Sequence, residues 1–228
     1  VQELYVSTVP GLESARITRP GYGIEYDIVD PLDLYPTLMS KSIENLFLAG
    51  QINGTSGYEE AAAQGLLAGI NAVAAVTGRS PLTLDANCSY LGLMVQEITT
   101  IGITEPYRIF TSRSPFRLNL RMSNAEERLS QSAFHHGVLS DEKFASIERR
   151  QQQIAGIQKK FADYSASAAS YRKALPEYPF VIPSGSVVAE QLLRHPDAAL
   201  PMFLSLFPEI EQLDKLAVLE VEARIKYA

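Results

Sequence analysis

The sequence has no tryptophan, one cysteine and three histidines among 228 residues. A lone Cys88 excludes an internal disulfide framework and suits a reducing compartment, so the expected location is cytoplasmic. Positive charge is scarce as well. Lys and Arg number 20 against 26 Asp and Glu, a formal net charge of −6. No whole-chain basic field recruits nucleic acid, and any such contact must be a local patch. No apolar run approaches the roughly 20 residues of a membrane span, and no membrane partner is expected. His135, His136 and His195 lack metal-ligand spacing, and neighbours in sequence cannot share a helix face, so no metal site is assigned. Neither a Ser–His–Asp order nor a phosphate-cradling P-loop is visible, and no G-x-G-x-x-G occurs.

What is present suffices for a globular core: 46% apolar residues and 20% charged ones, in a length that suits one or two domains. The chain opens at Val1 inside a polar–apolar pattern, which leads us to expect a piece of a longer protein. Its two halves differ in character. Residues 1–12 read as a helix or strand ending at Pro10-Gly11. ARITRPGYGIEYDIV (15–29) reads as extended structure around a turn, and IENLFLAG (43–50) as a short buried strand. From about Tyr58 to Val76 an alanine-rich helix runs to a stop at Gly78 and Pro81. Beyond a boundary between Arg79 and Asn87, residues 89–101, 140–162, 186–195 and 211–227 carry helical spacing, and β signals are sparse.

The stretch AGQINGTSGYEEAAAQGLLAG (49–69) concentrates glycine and alanine around a polar loop. Its loop glycines permit positive φ and close approach, and the following helix aims its first free N–H groups back at the loop. Such a terminus favours anions or electron-rich ligand oxygens, and Glu59 and Glu60 in the first turn complement its dipole. Ala61, Gly65, Ala68, Gly69 and Ala72 make a flat face at helical spacing. An interior glycine costs roughly 1 kcal/mol against alanine, so a neighbour, sheet or cofactor, is expected very near Gly65 and Gly69. Tight helix-on-sheet packing alone explains these residue types equally well.

The order of letters adds a resemblance. NLFLAGQINGTSGYEEAAAQGLLAGINA (45–72) closely resembles the second flavin-contacting segment of the MnmG (GidA) family. RPGYGIEYDIVDP (19–31), YLGLMVQEITTIGITEPYRIFTSR (90–113) and SNAEERLS (123–130) are similar to further segments of that family. The likeness is clear over residues 9–130 and looser through LLRHP and VEARIKY to the end. It implies the α/β end of a Rossmann-type FAD-binding domain (1–80) followed by a mainly α-helical tRNA- and partner-binding domain (81–228) that stops before the family's final helices. The family's pyrophosphate-binding fingerprint and catalytic cysteines would lie upstream, and Cys88 matches no catalytic position. The piece is then inactive alone.

The resemblance further implies a flavoenzyme that, with an MnmE-type GTPase, adds an aminomethyl or carboxymethylaminomethyl group to C5 of the tRNA wobble uridine. FAD is the implied cofactor, NADH and methylene-tetrahydrofolate the co-substrates, and a homodimer within a hetero-oligomer the assembly. Cofactor contacts are expected at Gly50, Gln51, Asn53, Gly54, Thr55, Gly57 and Tyr58. Glu25 and Asp27 share a face of an extended chain and read either as acid–base groups or as solvated carboxylates. Two other functions stay open: a folate- and FAD-dependent tRNA uracil methyltransferase, whose family shares AGQ, and a non-catalytic helical RNA- or partner-binding module.

The one basic cluster holds Arg108, Arg113, Arg117, Arg121 and Arg128, interleaved with Tyr107, Phe110 and Phe116. Arg108, Arg113, Arg117 and Arg121 are the expected RNA contacts; a salt-bridged face or domain contact is the alternative. Where the family usually reads TSRAEYRL, this sequence has TSRSPFRL, so Ser114-Pro115 can start a helix, while FRLNLRM alternates like a strand. Arg117 and Arg121 share a face under either reading.

Overall fold

The computed structural model describes residues 1–227. Its first 30 residues hold one short helix, α1 (Gln2–Ser7), and none of them is buried. The Gln2 side chain ties α1 to Gly21, donating to its carbonyl at 2.7 Å and accepting its N–H at 2.8 Å. The extended reading of 15–29 is not realised as a strand. A strand needs a neighbour for its main-chain groups; here Val29 N–H donates to Ile52 O at 2.9 Å, and Tyr22, Ile24, Tyr26 and Ile28 stay exposed. The run 43–50 likewise forms no strand. Phe47 meets Met39 in an isolated antiparallel bridge, after a turn that puts Asn45 at φ +61°.

Helix α2 (Tyr58–Thr77) follows the sequence closely and ends on Gly78 at φ +66°, a conformation that costs glycine least. Helix α3 (Tyr90–Thr100) starts on Ser89, whose hydroxyl accepts the Gly92 N–H at 2.8 Å. A Cβ on Gly92 would lie 2.5 Å from the Asp85 carbonyl oxygen, so the helix start packs directly on backbone. Leu34, Leu38, Leu67, Ala68, Leu82 and Val95 form one core between these helices and the loops before α2. Asn71 of α2 pins it, accepting the Leu82 N–H at 2.6 Å and donating to Leu82 O at 3.0 Å. Packing therefore runs from α2 through residue 82 into α3.

The small-residue face of α2 packs at Ala61 and Ala68 but not at its glycines. Gly65 and Gly69 are exposed, with nothing within 4 Å of a Cβ built on either. The inward face is Glu60, Gln64, Leu67, Ala68, Asn71 and Ala74. Close approach occurs one turn earlier, where a Cβ on Gly50 would touch Ala61 Cβ at 3.4 Å.

Residues 114–124 are turns, neither the helix nor the strand that their pattern allowed. Ser114 is buried and its hydroxyl accepts the Phe116 N–H at 3.1 Å, so it caps a turn instead of a helix. Then come α4 (Ala125–His135), α5 (Asp141–Asp163), β1 (Ser165–Ser167), α6 (Ala168–Ala174), β2 (Ser186–Val188), α7 (Ala189–Leu193) and α8 (Lys215–Lys226). β1 and β2 pair antiparallel with Ala166 opposite Val187. Ile154, Ile157 and Phe161 of α5 meet Ala217, Val221 and Ile225 of α8 at helical spacing. Phe161 packs against the rings of Phe203 and Phe207 at centroid distances of 5.1 and 4.5 Å. Full burial of each such side chain contributes roughly 1.5–3 kcal/mol.

Candidate functional site

The loop before α2 is shaped by a glutamine inside the helix. Gln64 Oε1 accepts the Gly50 N–H at 3.1 Å and Asn53 Nδ2 at 2.8 Å, while its Nε2 donates to Thr55 Oγ1 at 2.9 Å and approaches Met94 Sδ at 4.0 Å. Thr55 Oγ1 donates onward to Gly50 O at 3.1 Å, and Asn53 Nδ2 also reaches Leu48 O at 2.8 Å. Asn53 and Thr55 are thus buried and aimed inward, holding the loop's shape with their side chains. Gly50 at φ +89° and Gly54 at φ +79° take conformations that L side chains rarely adopt. Sequence reading passed over Gln64. The signal was there: Glu60, Gln64 and Asn71 are polar residues at helical spacing in an otherwise small-residue helix.

A second segment forms the opposite wall. Ser56 N–H donates to Tyr107 O at 3.1 Å and Tyr107 N–H to Gly54 O at 2.9 Å, a parallel bridge of two main chains. Tyr107 is buried, and its hydroxyl donates to Glu97 Oε2 at 2.5 Å. Burial first, and then this hydrogen bond, push the phenol's pKa well above the ordinary tyrosine value. Between the walls lies a cleft of about 260 Å³, lined by Tyr26, Gln51, Gly54, Thr55, Ser56 and Ile103, among others. Gln51 borders it and donates from Nε2 to Asp27 O at 3.2 Å.

At the end of the loop sits the N-terminus of α2. Its N-cap is Gly57, so no side chain caps the first-turn N–H groups. Tyr58 stands 94% exposed, whereas Glu60 turns inward with 3% of its side chain accessible. Glu60 Oε1 accepts the Ile109 N–H at 2.9 Å and lies 3.8 Å from Arg108 Nε. Glu60 Oε2 has no hydrogen-bond partner and would lie 1.6 Å from a Cβ on Gly57. Glycine at 57 leaves room for that carboxylate.

The other singled-out residues divide. Glu25 and Asp27 are exposed on the irregular segment before the cleft. Arg113 lies over the Tyr107 ring at 4.8 Å and 3.5 Å from Glu97. Arg117 is exposed. Arg121 is half-buried and grips Glu220 Oε1 and Oε2 of α8 at 3.0 and 3.1 Å. Arg121 takes the salt-bridged alternative. Arg128 donates to Arg121 O and Asn124 Oδ1, both at 2.9 Å, and to Cys88 O. Of the aromatic residues, Phe110 and Phe116 are exposed and Tyr107 is not. Among the described residues no group of three or more His, Cys, Asp or Glu could hold a metal, and no helix is long and apolar enough to cross a membrane.

Comparison with known proteins finds relatives along the whole chain. The family profile of glucose inhibited division protein A matches residues 1–80. The tRNA uridine 5-carboxymethylaminomethyl modification enzyme MnmG of Latilactobacillus sakei is 40% identical over all of this chain and 36% of its own length. The MnmG of Desulfotalea psychrophila is 44% identical, with the same shares covered. Two crystal forms of Aquifex aeolicus GidA superpose with TM-scores of 0.77 and 0.76 at 36% and 37% identity, covering 99% of this chain and 35% and 34% of theirs. The largely helical fold is shared with them. The chain spans about a third of the length of the relatives it matches.

Proposed function

Since the chain belongs to the GidA (MnmG) family over the third of those proteins that it spans, we propose that it is part of a flavoenzyme modifying C5 of the wobble uridine of tRNA. In this reading residues 1–80 complete a Rossmann-type FAD-binding domain and residues 81–228 form the helical part that meets tRNA and an MnmE-type GTPase. NADH and methylene-tetrahydrofolate are the co-substrates, and the working assembly is a homodimer within a cytoplasmic hetero-oligomer.

The observation that carries the proposal is the cleft beside the uncapped start of α2. Its donors suit the acceptor-rich edge of a flavin ring. The residues present fit the ring end of the cofactor, whereas a glycine fingerprint for its pyrophosphate is not among them. Flavin bound here would supply hydride-transfer chemistry. The chain's own part is to bind and orient. Gln51 offers a donor and an acceptor at the cleft edge, the α2 terminus stabilises negative charge, and Gln64 fixes both by setting the loop. Arg108, Arg113 and Arg117 stay exposed and are the residues offered to RNA phosphates.

Gln51→Ala in the full-length protein tests the assignment. It is expected to lower flavin content or shift the midpoint potential. Wild-type values for both remove Gln51 from the site.

A further inference from the structure

Two segments expected to serve different ligands turn out to be one unit. The loop 50–57 faces the cofactor and the segment 105–113 carries the outward arginines, yet the Gly54–Ser56 main chain pairs with Tyr107. Further along both segments a second tie follows at Glu60, whose buried Oε1 holds the Ile109 N–H and faces Arg108. Its other oxygen has no partner and is pressed against Gly57, the N-cap of α2. A buried carboxylate with one unpartnered oxygen is unusual, because desolvating it is unfavourable unless something compensates. The nearest cation is the Arg108 guanidinium, which is itself 56% exposed.

This arrangement has an electrostatic consequence. Ser56 of the cleft wall leads through the N-cap Gly57 into the partially positive end of α2, and the Glu60 carboxylate lies against Gly57 with the Arg108 guanidinium beside its other oxygen. A phosphate that engages Arg108 from solvent competes with Glu60 for the same guanidinium. Whatever it takes from the pair leaves the carboxylate less compensated beside the cleft.

We propose that Glu60 is a positioning residue that couples nucleic-acid contact at Arg108 to the charge balance of the cofactor cleft. The proposal rests on the flavin and tRNA reading above. Its sign follows from the geometry: RNA binding makes the cleft more negative, which disfavours the reduced, anionic cofactor and lowers the midpoint potential. By reciprocity the reduced protein binds tRNA more weakly than the oxidised protein.

The test uses the flavin-loaded full-length protein, with potential and tRNA affinity measured together. Wild type is expected to bind tRNA about tenfold more weakly when reduced, equivalent to about 30 mV of downward shift for a two-electron couple. Glu60→Gln keeps an acceptor for Ile109 and removes the charge; it is expected to raise the potential without tRNA and to abolish most of the tRNA-dependent shift. Arg108→Gln alters the pair from its exposed side, leaving the core intact, and should lower the potential without tRNA. A purely structural Glu60 predicts a lower melting temperature with the tRNA-dependent shift retained, and that result overturns the coupling. A wild-type protein that binds flavin and tRNA but shows no shift overturns it too, with the functional reading intact. A wild-type protein without flavin removes both.

Discussion

Residues 141–227 and residues 1–30 lie at opposite extremes of one chain. The first region closes its own core: α5, α7 and α8 surround Phe161, Phe203 and Leu193, and the β1–β2 pair and α6 cover what remains. The second region buries nothing, although it carries Leu4, Tyr5, Tyr22, Ile24, Tyr26 and Ile28. Apolar content is therefore not what separates them. The helical region brings both sides of its hydrophobic core in a short length of sequence, while the first 30 residues bring one side only. Self-sufficiency follows from having the partner, and hydrophobicity alone does not provide it.

The strongest way to break this comparison is to open the self-sufficient core. Phe161→Ala is expected to cost about 4 kcal/mol, because the ring is fully buried between two other aromatic rings. In native-state hydrogen exchange, protection should fall in α5 and α8 while α2 and α3 keep theirs. Equal loss in both places would show a single cooperative unit, and the contrast between regions would lose its meaning.

A slightly smaller effect is expected where α8 is tied to the turns of residues 114–124. Glu220 of α8 is 1% exposed and bonded to Arg121, Ser123 and Arg224. Burial alone would raise its pKa, but the hydrogen bonds from Arg224, Ser123 and Arg121 together outweigh it, and the net shift is downward. A folded pKa below the unfolded value means stabilisation in full above the ordinary carboxylate range, lost as pH falls through the folded value. Glu220→Gln should cost about 3 kcal/mol near neutrality, since it leaves guanidinium groups without their carboxylate. The variant's disadvantage should shrink in urea titrations as the pH is lowered through the acid range. A disadvantage that stays constant with pH would mean that packing, not charge, sets the cost.

The smallest effect sharpens the comparison from the other side. Tyr22→Ser, at an exposed position of the irregular segment, should change the stability of this 228-residue chain by less than about 0.5 kcal/mol. Equilibrium urea unfolding of the two chains measures it. A loss above about 1 kcal/mol would show that residues 1–30 pack in solution.

The same contrast explains what the sequence could reveal. Helices α2, α3, α5 and α8 were legible because periodicity, caps and terminal glycine are local properties: Ser89, Ser140 and Gly78 mark their own helix ends. The extended run at 15–29 and the strand expected at 43–50 find no sheet partner, because a strand is a property of a pair. FRLNLRM fits two periods and adopts neither, being held by the buried Ser114 and by Arg121 reaching across to α8. At the candidate site the motif letters point to the loop 50–57, within which Asn53 and Thr55 face inward. Nothing in the letters says which polar side chain of a turn looks at the ligand and which holds the turn. Glu60 was legible as a first-turn acid, and its burial depends on Ile109, 49 residues away.

The two lone pairs and two N–H bonds of Gln64 are all engaged, toward Gly50, Asn53, Thr55 and Met94. Glutamate offers acceptors but no donor for Thr55, asparagine is a methylene short, and leucine answers none of the four. Of the twenty letters, one spells this loop, and it stands seven residues past the loop's last glycine.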